Sequence, residues 1–350
     1  LLLAGVPSAL AETLPRLRVV VELDLSTLPE GWLDADEEVD GQRLEILWSQ
    51  LLLGAEMEGR DFRVLRRYRS VPFLAAELSV SEIEALATNP WVRKISGDDP
   101  IRPTLHQSTN LVEAPRVWPG GLDGSGWTVA VLDTGVDAAH PHLADKVVAE
   151  ACFSGNGSCP SATASQTGPG AGAPCDYSSH CAHGTHVAGI AAGRSEAMSG
   201  VAPGAKVIAV QVFSRFDDAP YCSAGQSCPL AFTSDLIAGL EHVYALRGTH
   251  DIAAVNMSLG GGYYREQKTC DAFNSGVKAA IDNLRSVGIA TVAASGNDGF
   301  TDGLGSPACI SSAVSVGSTT KSSGVSFFSN TASFLSMLAP GTGILSSVPG

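Results

Sequence analysis

The sequence predicts an α/β domain, a mostly parallel sheet with helices on both faces, preceded by a small α+β domain. Three observations predict this. From Trp127 onward, short apolar runs alternate with helical segments. The residues before Gly97 instead follow the order β-α-β-β-α-β, which implies a small sheet with two helices on one face, the ferredoxin-like arrangement. Between the two parts, Gly97 to Thr104 contains two prolines and two aspartates and reads as an exposed tether. A length of 350 residues exceeds one ordinary domain and suits this division.

The elements follow in chain order. Leu17 to Leu25 is rich in β-branched residues and reads as a strand. Leu44, Leu47, Trp48, Leu51 and Leu52 recur at helical spacing and Gly54 follows as a stop, which predicts an amphipathic helix with that stripe as its apolar face. Phe62 to Tyr68 and Phe73 to Leu78 are two strands. Ser81-x-x-Glu84 reads as a capping box that opens a short helix, which Asn89-Pro90 ends, and Trp91 to Ile95 closes the small sheet. In the second part Thr128–Leu132, Val207–Val210, Ala253–Asn256, Ile289–Ala293 and Ala313–Val316 are too short and apolar for helices and suit strands covered on both faces. Gly184–Gly193, Ser234–Arg247 and Gly276–Val287 are the helices between them.

Charge excludes one class of partner. The chain has 22 Lys and Arg against 36 Asp and Glu, a net charge of −14, the wrong sign for neutralising nucleic-acid phosphates. Each side of Leu105 carries 11 basic and 18 acidic residues, so docking of the two parts would rest on shape and burial rather than on opposite net charge. Residues 1–11 are apolar and end in Ala9-Leu10-Ala11, the small-x-small pattern of a signal-peptidase site, and read as the remnant of a signal peptide. No other run approaches the ~20 apolar residues a membrane anchor needs. Secretion is the expectation. The eight cysteines, Cys152, Cys159, Cys175, Cys181, Cys222, Cys228, Cys270 and Cys309, are even in number and suit an oxidising compartment. Sequence alone does not fix their pairing. Three short spacings suggest loop staples 152–159, 175–181 and 222–228, which leaves Cys270 for Cys309, a bridge worth on the order of 4 kcal/mol in the chain-entropy model.

Residues able to do chemistry sit at strand ends, where ligands collect in open parallel sheets. Asp133 ends its strand in Val-Leu-Asp-Thr-Gly, where its carboxylate can orient an imidazole. His183 opens a helix in His183-Gly-Thr-His186-Val-Ala-Gly, and the helix dipole there favours the neutral imidazole of a general base. His180, His183 and His186 also form a spaced cluster that admits a metal reading, although zinc needs three or four converging ligands. Ser295-Gly296-Asn297 ends a later strand and offers an amide donor for an oxyanion. Asn256-Met-Ser258-Leu259-Gly260-Gly runs into glycines whose exposed backbone can pair with an extended peptide.

In this order, with Ala339-Pro-Gly-Thr-Gly-Ile-Leu-Ser346 after them, these segments resemble the subtilisin-like serine proteases (subtilases). The resemblance covers about Trp127 to Gly350, and the preceding region is similar to the family's inhibitory prodomain. It implies that Asp133 orients the imidazole, that His183 acts as base and then acid, and that Asn297 contributes to the oxyanion hole. It also implies that Ser258, Leu259, Gly260, Ala294, Ser295 and Gly296 line the peptide-binding cleft. The implied division is a signal remnant at 1–11, a prodomain at 12–105 and a catalytic domain at 106–350, with the prodomain as intramolecular inhibitor, protein or peptide substrates, and no cofactor needed for the chemistry, a structural calcium ion being left open. Three departures stand out. The family's Gly-Thr-Ser-Met-Ala block is absent, so residues 1–350 lack the nucleophile and are expected to be inactive as they stand, Ser346 and Ser347 having no such surroundings. The family's Asp-x-x-His-Pro-Asp-Leu reads Asp137-Ala-Ala-His140-Pro-His142-Leu here, with His142 where a carboxylate often ligates a structural calcium ion. A Cys-rich insertion, Cys152 to His180, separates Asp133 from His183. Two other readings stay open: a noncatalytic peptide-binding relative, and a metal-dependent hydrolase using His180, His183 and His186.

Overall fold

A computed structural model describes residues 16–25, 30, 33, 36–98, 102–103, 111–195, 198–217, 221–222 and 225–350. The signal-peptide reading of residues 1–11 and the 105/106 domain boundary lie outside the described residues.

The first part comprises β1 (Leu17–Leu23), α1 (Asp36–Glu56), β2 (Phe62–Arg67), β3 (Phe73–Leu78), α2 (Val80–Leu86) and β4 (Val92–Gly97). Its four strands form one antiparallel sheet in the order β2-β3-β1-β4, the ferredoxin-like topology expected from the element order. Val19, Val21, Leu23, Leu74, Ala76 and Leu78 project from one sheet face onto Leu53, Met57 and Leu86 of the helices.

Two local expectations need correction. The stripe Leu44, Leu47, Trp48, Leu51 and Leu52 is exposed, and α1 instead buries Gln42, Ile46, Ser49, Gln50 and Leu53. Helix α1 has two opposite stripes at helical spacing, and the sheet selects the one that carries Gln50, whose buried amide donates to the carbonyls of Tyr68 at 2.8 Å and Phe73 at 2.9 Å. Those carbonyls belong to the β2-β3 connection, and an apolar side chain there would leave them unpaired. The capping box lies two residues earlier than expected, with Ser79 accepting from the Glu82 N–H. Ser81 falls inside the first turn.

The tether after the first part carries a short strand, β5 (Arg102–Pro103), and the second part runs through β6 (Thr128–Asp133), β7 (Val147–Phe153), β8 (Ser165–Thr167), α3 (His183–Ala192), β9 (Lys206–Gln211), β10 (Ser214–Phe216) and β11 (Cys228–Leu230). Then come α4 (Thr233–Leu246), β12 (Ile252–Met257), β13 (Leu259–Tyr264), α5 (Gln267–Phe273), α6 (Ser275–Ser286), β14 (Ala290–Ala294), β15 (Leu304–Ser306), β16 (Val314–Thr319) and β17 (Met337–Pro340). The main sheet is ordered β17-β16-β14-β12-β6-β9-β7-β8 and is parallel except for β8. Successive residues of β6 serve opposite faces. Ala130 and Leu132 join the core under α4 and α6, whereas Val131 joins the core under α3. The chain moves outward from β6 in one direction to β9 and β7, and in the other to β12, β14 and β16, so a topological switch point lies between β6 and β12.

The outer face of the first part's sheet docks on α4 and α6. Val20, Tyr68, Val71 and Phe73 are buried in the same core as Ile237, Leu240 and Ile281. Polar contacts frame this core. Glu241 Oε1 accepts from the Arg69 and Ser70 backbone N–H groups and the Ser70 hydroxyl, each at 2.7 Å, and the Tyr68 hydroxyl donates to the Ser234 carbonyl at 2.7 Å. Docking therefore rests on burial, as expected from the equal net charges, together with a local ion pair, Arg66 with Asp235 at 2.9 Å, while Arg18, held by Asp98 of its own part at 3.1 Å, donates to the Ser234 hydroxyl at 3.2 Å. Asp98, expected in an exposed tether, is in fact buried, because it caps α4 by accepting from the Ser234 N–H and hydroxyl.

Candidate active site

Asp133 ends β6 beside the switch point and is wholly buried. Its Oδ1 accepts from the Thr134 N–H at 2.7 Å and from His183 Nδ1 at 2.8 Å. A carboxylate accepts only, so the imidazole carries its proton on Nδ1 and directs the basic lone pair of Nε2 away from the aspartate. The His183 side chain keeps 14% exposure.

Three features hold this pair together across a separation of fifty positions. Thr134, also wholly buried, donates its hydroxyl to the Cys181 carbonyl at 3.0 Å and accepts from the Gly184 N–H at 2.9 Å, which ties the end of β6 to the start of α3. Gly184 permits the approach, since a Cβ there would stand 2.2 Å from the Gly135 carbonyl oxygen and 3.1 Å from Asp133 Cβ. The Cys175–Cys181 disulfide closes the turn in front of His183, and the Cys175 N–H donates to the Thr134 carbonyl at 3.1 Å. Sequence reading treated that bridge only as a loop staple. The other bridges are Cys152–Cys159, Cys222–Cys228 and Cys270–Cys309.

The three histidines do not converge. The ring of exposed His180 turns to the Ser178 hydroxyl at 3.2 Å, buried His186 Nε2 faces the Ile344 carbonyl at 3.2 Å, and only His183 meets a carboxylate. Among the described residues no group of three or more His, Cys, Asp and Glu side chains is arranged to hold a metal ion. His142 is buried, with Nε2 3.1 Å from the Met198 carbonyl and Nδ1 3.3 Å from the Ser347 hydroxyl, and burial lowers its pKa. A ring packed this way does not fit a calcium site at that position.

Strand β13 lies between β15 and β5 in a three-stranded sheet. Its Leu259 and Gly260 pair antiparallel with Pro103 and Arg102 of β5, so a backbone strand already lies where an extended peptide was expected to add. Next to it opens a cavity of about 380 Å³ whose walls include Ser258, Ala294, Ser295, Gly296 and Asn297, all expected at the cleft, and whose lining has no ionisable side chain. Leu259 is buried and Gly260 faces the Ser306 carbonyl, so both contribute as strand backbone rather than as cavity wall. Sequence reading missed Asn330. It is wholly buried behind the Ser295-Gly296-Asn297 turn, and only its occurrence in a polar loop marked it beforehand.

The peptidase S8 family model, described as the subtilase family, matches residues 124–349. The M-protease of Shouchella clausii (strain KSM-K16) is 30% identical over 302 residues, covering 85% of this chain and 67% of that protein. Subtilisin E of Bacillus subtilis (strain 168) is 31% identical over 297 residues, covering 82% and 66%. The chain thus spans about two thirds of the length of these curated relatives. A crystal structure of a cold adapted subtilisin-like serine proteinase matches 65% of this chain and 67% of its own at 31% identity and a TM-score of 0.47.

Proposed function

The chain belongs to the subtilase family, and on that premise we propose that it is a secreted serine endopeptidase made as a precursor that its own first domain inhibits. The carrying observation is the Asp133–His183 contact of 2.8 Å at the switch point of a parallel sheet. In this reading Asp133 fixes the imidazole tautomer and stabilises the imidazolium. His183 takes the proton of a serine hydroxyl as that oxygen attacks the scissile carbonyl, then gives it to the leaving amine. Asn297 donates to the oxyanion. The substrate adds as a strand to β13 and sets an uncharged side chain in the neutral cavity beside Asn297. No cofactor takes part. The nucleophile in this reading is not among residues 1–350. Ser347 is buried, donates to the Thr185 carbonyl at 3.2 Å and faces His142, and Ser346 beside it lies against Gly189.

The first domain suits an inhibitor because its sheet docks on α4 and α6 and β5 occupies the substrate edge. The processing site is placed near Leu105-His106, and the signal peptide before Glu12. The test of the catalytic reading is turnover of a peptide substrate by the full protein. His183→Ala and Asp133→Asn should each lower kcat by several orders of magnitude with the fold retained. Near-normal turnover in the His183 variant would remove the assignment.

A further inference from the structure

We propose that Asn330 is the positioning residue of the oxyanion site: it clamps the turn that carries Asn297 and so sets where the Asn297 donor stands. The proposal rests on the reading of Asn297 given above. Gly296 sits at φ +110° beside Asn330, and a Cβ on it would stand 2.2 Å from Asn330 Nδ2. The Asn330 side chain is wholly buried and uses its whole hydrogen-bonding capacity on this one turn. Nδ2 donates to the Ser295 carbonyl at 3.2 Å and to Asp298 Oδ2 at 3.1 Å. Oδ1 accepts from the Asp298 N–H at 2.9 Å and the Phe300 N–H at 3.1 Å. The Asn330 backbone N–H donates to the Gly296 carbonyl at 3.0 Å. Its contacts therefore fall on residues 295, 296 and 298, on both sides of Asn297, which is itself exposed at the cavity wall.

An oxyanion donor works only when it meets the transition-state oxygen within a few tenths of an ångström, and a turn on a cavity rim has little of its own packing to hold it there. A planar amide with two donors and two acceptors fixes such a turn in one orientation, as an apolar side chain of the same size cannot. Asn330 touches no part of the cavity in this account and acts through Asn297.

The test is a double-mutant cycle in the full protein with a peptide amide substrate, measured well below each variant's unfolding midpoint. The variants are Asn330→Ala, Asn330→Asp, Asn297→Ala and the two pairs. Asn330→Asp keeps the shape and both acceptor contacts but turns oxygen toward Ser295 O and Asp298, so it guards against an alanine variant that fails to fold. Asn297→Ala should lower kcat by on the order of 10²–10³, the range seen when such a donor is removed from a subtilisin. Each Asn330 variant should lower kcat by about tenfold or more with KM within about twofold, and this loss should shrink below about threefold once Asn297 is already alanine. Equal losses in both backgrounds, or Asn330 variants with unchanged kcat, would overturn the positioning role while leaving Asn297 as a donor. A silent Asn297→Ala would overturn both.

Discussion

Gly184 lets the two halves of the candidate couple meet, since the start of α3 lies against the loop after β6 and a Cβ on Gly184 would strike the Gly135 carbonyl there. Gly184→Ala should push the helix start off the Gly135 carbonyl, lengthen the Asp133–His183 contact and destabilise the fold by about 1–3 kcal/mol, the usual size of an overpacked site. Turnover in the full protein should fall about tenfold or more, because a small misplacement of a general base is strongly felt. Gly248→Ala, where nothing stands within 4 Å of the added Cβ, is the control and should leave both unchanged. Unchanged turnover in the Gly184 variant would show that the contact does not depend on this approach. At this scale the sequence was informative about chemistry and silent about support. Asp133, His183 and Asn297 are legible because their types and neighbours suit their tasks. Thr134 and Asn330 are not, because a buried hydroxyl or amide is specified by the distant backbone groups it satisfies.

Among the elements, periodicity located α1 but not its buried face. Two stripes satisfy the same spacing, and the choice between them depends on carbonyls from the β2-β3 connection that only the folded sheet presents to Gln50. The short buried strands were legible from their apolar runs, whereas β13 and β15, rich in glycine and on the cleft rim, lack such a run. Helix α4 was found, but its role as docking platform was not. Its Asp235 is wholly buried, accepts from the Gly155 N–H at 2.8 Å and faces Arg66, with Asp98 and Arg18 close by. Burial is the largest influence and pushes this carboxyl from 3.8 up to about 6, against the opposing pull of Arg66. By linkage, a carboxyl raised in the folded protein favours the folded state most below pH 3.8, and that advantage is lost as pH rises through about 6. The contribution of this group to the unfolding free energy of the protein should therefore fall between pH 4 and 7, and Asp235→Asn should flatten that slope. An unchanged slope in the asparagine variant would assign it to other groups.

For the whole molecule, the segment after the first sheet supplies a strand, β5, that pairs with β13, the edge proposed to receive substrate. The tether was expected to be exposed, yet Asp98 anchors its start to α4 and Arg102–Pro103 pair with Leu259–Gly260. In the proposed reading, a tail held in this way would compete with substrate at high effective concentration even after cleavage. The passage from an antiparallel sheet to a mostly parallel one was legible from the change of pattern near residue 97. The docking was not, because the Tyr68–Ser234 and Ser70–Glu241 contacts join residues more than 160 positions apart. The central claim is that Asp133 and His183 serve a serine nucleophile that the first domain blocks. Its most direct measurement is covalent labelling of the full protein by a fluorophosphonate, mapped by mass spectrometry before and after release of that domain. The account predicts one labelled serine, slow to react until the domain is gone and unreactive in the His183→Ala variant. Peptide hydrolysis by the released enzyme with no serine labelled, or labelling that persists without His183, would contradict it.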